Sequence, residues 1–122
     1  MNEAVLRRPV GSISIMAEQL RQIIKAMELP NVTIQLLPFS AGLHAGAMAG
    51  DFSILDFDQE GRGKEVEPPV TYLESATGAI YLDKAYETSA YNTIWADLSK
   101  RARTEPQSKT MIEEIAEEYS RA

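Results

Sequence analysis

The apolar residues change period abruptly between Ser12 and Pro38, and that change limits the chain to folds mixing helix with strand. From Ile13 onward they recur as Met16, Leu20, Ile23, Ile24 and Met27, offsets of four, seven, eight and eleven from Met16 that define one helical face. Ser12 stands where an N-cap belongs, and Glu18, Arg21, Gln22 and Lys25 fall on the opposite side. Pro30 closes the helix because it has no N–H to continue the ladder. Immediately afterwards Val32, Ile34 and Leu36 alternate with Thr33 and Gln35, the period of a strand, with Pro38 ending it.

The remainder extends this pattern. The opening from Glu3 to Gly11 reads as irregular or briefly extended. Asp51 to Phe57 predicts a second strand, and with Phe52 and Ile54 on one face and Leu55 and Phe57 on the other, an interior position in the sheet is expected. Asp58 to Pro69 is a polar surface loop. Val70 to Glu74 and Ala79 to Leu82 predict two further strands, joined by a turn over Ser75-Ala-Thr-Gly78. Asp83 is expected to cap a helix carrying Tyr91, Ile94, Trp95, Leu98 and Ala102 on one side. Thr104 and Gln107 form a capping-box pattern, with Pro106 in the first turn of a final helix presenting Met111, Ile112, Ile115, Ala116 and Tyr119. The expected architecture is α+β: an antiparallel sheet of about four strands, with one N-terminal and two C-terminal helices packed on one face, as a single domain over residues 1–122.

Charge and missing residue types exclude several functions. Eighteen acidic against 12 basic residues leave a net charge of −6. The basic residues are scattered and not interleaved with aromatics, so the chain alone is unsuited to neutralising nucleic-acid phosphates. Without cysteine there is no disulfide, thiolate nucleophile or zinc–thiolate set, and one histidine leaves no transition-metal site. No cofactor is expected. The apolar runs are too short to span a bilayer and no signal peptide opens the chain, so a cytoplasmic location without membrane contact is expected.

The segment from Ser40 to Gly50 differs most from plain scaffold. Gly42, Gly46 and Gly50 recur every four residues around His44, and glycine there permits tight turning or close backbone approach. The pattern is neither a Walker-type phosphate loop nor GxGxxG, and GxSxG is absent too. His44 is suited to donating, accepting or sensing pH, with local fixation of its loop as the plainer role. Asp51 and Glu74 are the carboxylates able to join it in an acid–base pair, with Tyr81 as a wall.

Several segments together carry a resemblance: Leu6-Arg-Arg-Pro-Val-Gly11; Pro30-Asn-Val-Thr-Ile-Gln-Leu-Leu-Pro-Phe-Ser-Ala-Gly-Leu-His-Ala-Gly46; Phe52-Ser-Ile-Leu-Asp-Phe57; and Val70 through Asp83. The chain resembles the C-terminal domain, long of unknown function, of actinobacterial Xre-type helix-turn-helix regulators, also described as antitoxin-like. The resemblance implies a regulatory domain that responds to a small partner protein or ligand, and it places Phe39, Gly42, His44, Gly46 and Glu74 on motif positions. The helix-turn-helix half lies outside this chain, as does the apolar strand that precedes the domain in the family. The chain is therefore expected to be either a fragment or a short protein that has lost DNA binding, and to pair as a homodimer through the edge so opened. A small-molecule binder or biosynthetic enzyme, with His44 beside a carboxylate, is the alternative.

Overall fold

The computed structural model describes residues 1–57 and 67–122. Most of the polar loop expected over Asp58 to Pro69 therefore lies outside the described residues. The chain forms two compact units, Met1–Gly42 with Arg101–Ala122, and Leu43–Lys100.

The first unit holds three helices: α1 (Glu3–Arg7), α2 (Ile13–Ala26) and α4 (Glu105–Arg121). The caps anticipated for α2 and α4 are formed. Ser12 accepts from the Ile15 amide, while Thr104 and Gln107 satisfy each other's backbone N–H in a complete capping box. Helices α2 and α4 pack on one another around Leu6, Met16, Leu20, Met27, Leu36, Ile112, Ile115 and Ala116, all buried. Tyr119 closes this core from α4 by donating to the Leu6 carbonyl at 3.1 Å.

Two expectations fail in this unit. The opening segment is helical, because Asn2 caps it and Glu3 pairs with Arg7 one turn later at 3.0 Å. Residues 32–36 belong to no strand ladder. Their backbone groups are satisfied elsewhere: the Leu36 amide donates to Ser108 Oγ at 2.8 Å, and its carbonyl accepts from the Arg103 amide at 2.8 Å. On the other side the Leu37 amide donates to the Met1 carbonyl at 2.8 Å, and an isolated parallel bridge joins Leu37 to Asn2. The alternation from Val32 to Leu36 therefore does not mark a strand: a helix N-terminus and the opening residues take the hydrogen bonds that neighbouring strands would make.

The second unit is an antiparallel sheet with one helix. Strands β1 (Phe52–Leu55), β2 (Val70–Ser75) and β3 (Gly78–Leu82) lie in the order β1-β2-β3, with Ile54 and Leu82 flanking Thr71. The described sheet thus has three strands, and β1 is at its edge, not inside. Its burial alternates, which explains the misplacement: Phe52 and Ile54 are half-buried while Leu55 stays exposed. Helix α3 (Ala85–Arg101) begins two residues after Asp83, with its first turn held by Glu87 Oε2 on the Lys84 amide at 3.3 Å. It meets the sheet through Tyr91, whose ring contacts Phe52 edge-on at 5.1 Å. Among the described residues no helix is long and apolar enough to cross a membrane.

Candidate binding surface

The glycine-rich segment is built from short turns. A 3-10 turn over Phe39–Ala41 ends at Gly42, whose φ of 67° favours glycine, and a second over Ala45–Ala47 follows His44. Gly50, at φ 70°, releases the chain into β1. Gly46 serves differently. A Cβ there would lie 3.1 Å from both Leu98 methyls and 3.2 Å from His44 Nδ1, so its bare backbone lets α3 and the imidazole close in. The neighbouring Ala45 amide donates to Asp97 Oδ2 at 3.0 Å, tying the segment to α3. His44 is half-buried, and among the described residues its buried Nδ1 has no hydrogen-bond partner.

The other expected residues are dispersed. Phe39 and Gly42 belong to the first unit, where Phe39 is exposed and its amide donates to Glu3 Oε2 at 2.7 Å. Asp51 is exposed at a bend before β1. Glu74 and Tyr81 lie on the sheet face opposite the one Tyr91 meets, whereas His44 lies against α3. On that open face the Tyr72 and Tyr81 rings contact at 5.0 Å, beside Leu55, Val70 and Glu74. Partial burial, then the Glu74 carboxylate and the Tyr81 phenol, push the Tyr72 hydroxyl above its ordinary pKa.

The exposed apolar residues of the second unit extend well beyond this face. Leu43 is 85% exposed, Met48 96%, Tyr81 69% and Trp95 58%, with Phe57, Ile80 and Tyr86 also open. No large apolar side chain described in this unit is buried; its only buried residues are Thr71 and Thr88. Two surface depressions belong to the first unit. One follows the acidic side of α4 past Glu113 and Glu117, the other lies between Ser12 and Tyr119, and neither includes His44, Glu74 or Tyr81. Among the described residues no three His, Asp or Glu side chains are grouped to hold a metal ion.

The pattern of the family described as a domain of unknown function, DUF5753, matches residues 1–114. The chain belongs to that family. No curated protein and no solved structure matches this DUF5753 domain.

Two acids of this DUF5753 domain escaped sequence reasoning. Asp97 lies beside the apolar side of α3 and accepts from a backbone amide 52 residues away, a contact that leaves no local signal. Glu3 is buried, accepting from Arg7 Nε at 3.0 Å and from the Phe39 amide. Burial alone would raise its carboxyl, but the Phe39 hydrogen bond and the Arg7 guanidinium outweigh that and hold it below the ordinary value of 4.5. The Glu3–Arg7 spacing was the one legible sign of this pair.

Proposed function

We propose that this chain is a partner-binding regulatory module of the kind attached to Xre-type helix-turn-helix regulators, and that the second unit presents the surface a small partner protein covers. One observation carries the reading: the second unit buries no large apolar side chain among its described residues while exposing Leu43, Met48, Tyr81 and Trp95. Adjoining exposed apolar side chains mark interaction sites, as Tyr72, Tyr81 and Leu55 do on the open sheet face, and Tyr is favoured at interface centres. The net charge of −6 suits the module to a protein partner better than to phosphate. The resemblance to such regulators names the partner class: a small protein encoded beside the regulator.

Titration calorimetry of the purified chain against that small neighbouring protein tests the proposal. Micromolar or tighter binding is expected, weakened at least about tenfold in Tyr81→Asp or Leu55→Asp, a loss of about 1.4 kcal/mol. Binding that neither variant changes would contradict the assignment of this surface.

A second reading, a small polar ligand held by the glycine segment, rests on the unpartnered Nδ1 of His44. It requires a small-molecule fraction to raise the melting temperature of the wild type and not of His44→Ala. Equal responses of the two proteins would remove it.

A further inference from the structure

Strand β3 has a ladder partner on one side only among the described residues, and its outer edge lacks the usual protection. Its sequence, Gly78-Ala-Ile-Tyr-Leu82, contains no charge and no proline, and Ile80 and Tyr81, on opposite faces, are 57% and 69% exposed. Natural edge strands of this length are commonly blunted by lysine, proline or a bulge. Here the register with β2 runs without a bulge from Ser75↔Gly78 to Thr71↔Leu82.

We propose that a second copy of this chain adds to the open edge of β3, the two strands running antiparallel about a two-fold axis at Ile80. This inference stands on the hairpin and is independent of the partner reading above. The choice of occupant comes from self-complementarity in both backbone and side chains. Ser75 and Gly78 close a two-residue loop and so exchange ladder hydrogen bonds; alternation then points the N–H and C=O groups of Ala79 and Tyr81 outward. With Ile80 on the axis, Ala79 of each copy lies opposite Tyr81 of the other, so those groups meet.

Side-chain size matches in the same register. Small faces large at Ala79–Tyr81 on one face and at Gly78–Leu82 on the other, where Ile80 also meets Ile80. Asp83 falls opposite Thr77, so no like charges are brought together despite the net charge of −6. The pairing is isologous and closes on itself, giving a dimer with one continuous sheet and not a fibre.

Sedimentation of the full chain over a wide concentration range, with Ile80→Lys and Ile80→Glu, tests the proposal. The wild type is expected to dimerise. Each variant alone places like charges on the axis and should bind itself at least about tenfold more weakly, while an equimolar mixture should recover dimer. A wild type that stays monomeric at its highest concentration, variants that dimerise like wild type, or a mixture that stays monomeric would each overturn it. Should the charged variants fail to fold, Ile80→Cys gives an independent readout, since the chain has no other cysteine. Mild oxidation should yield a disulfide-linked dimer of the folded protein and little in urea; equal yields in both would contradict the two-fold at Ile80.

Discussion

The two units solve opposite problems with chain segments of similar length. The first shields Leu20, Leu36, Ile112 and Ile115 between α2, α4 and residues 32–36, and it satisfies the buried Leu36 amide with Ser108. The second spends its apolar residues on the surface, and its one fully buried side chain, Thr71, has a hydroxyl without a partner among the described residues. A unit that buries its apolar residues gains more from the hydrophobic effect, and one with little buried apolar area opens more easily. On the reading proposed above, that contrast separates scaffold from binding surface.

The largest expected break in the comparison is Leu20→Ala. Truncating this fully buried side chain should cost about 2–5 kcal/mol in chemical denaturation. Tyr81→Ala, which loses only the exposed cross-strand contact with Tyr72, should cost no more than about 1 kcal/mol. Comparable losses at the two positions would show that the second unit has a core of its own.

Next in size is Ser108→Ala, which removes the hydroxyl that the Leu36 amide donates to at 2.8 Å. A buried N–H left without a partner should cost about 1–3 kcal/mol by the same measurement. This bond also explains how far the fold was legible. Helices α2 and α4 could be read from apolar period and from caps three residues apart, because both signals are local. The place of residues 32–36 could not, since their hydrogen bonds run to Ser108 and Arg103, some 70 residues along the chain. The edge position of β1 was hidden for a related reason: Leu55 and Phe57 look like core residues in the sequence, yet both stay exposed in the fold. At the candidate site the glycine spacing correctly marked turns at Gly42 and Gly50. The close approach at Gly46 is to Leu98, a contact that no spacing rule reveals.

A pH series sharpens the contrast from the side of charge. Because the folded-state pKa of Glu3 is depressed below 4.5, its stabilisation is complete above that value and is lost as pH falls through the lower folded value. The melting temperature of wild type should therefore fall toward that of Glu3→Gln on acidification, and the gap should be constant above about pH 5.5. A gap that widens in acid would mean that Glu3 is not held as an anion. The smallest effect has the opposite sign. Thr71→Val replaces the unpartnered hydroxyl by a methyl of the same shape and should stabilise by up to about 1 kcal/mol, read as a small rise in denaturation midpoint.

Native-state hydrogen exchange of the chain without a partner tests the central claim most directly, because it reads both units in one sample. Amides in the middle of α2 and α4 should exchange only through global unfolding, while those bonded within β1, β2 and β3 should exchange through cheaper local opening and gain protection when a partner binds. Sheet amides protected as strongly as those of α2 and α4 in the free chain would contradict the division into a self-sufficient scaffold and a surface awaiting its cover.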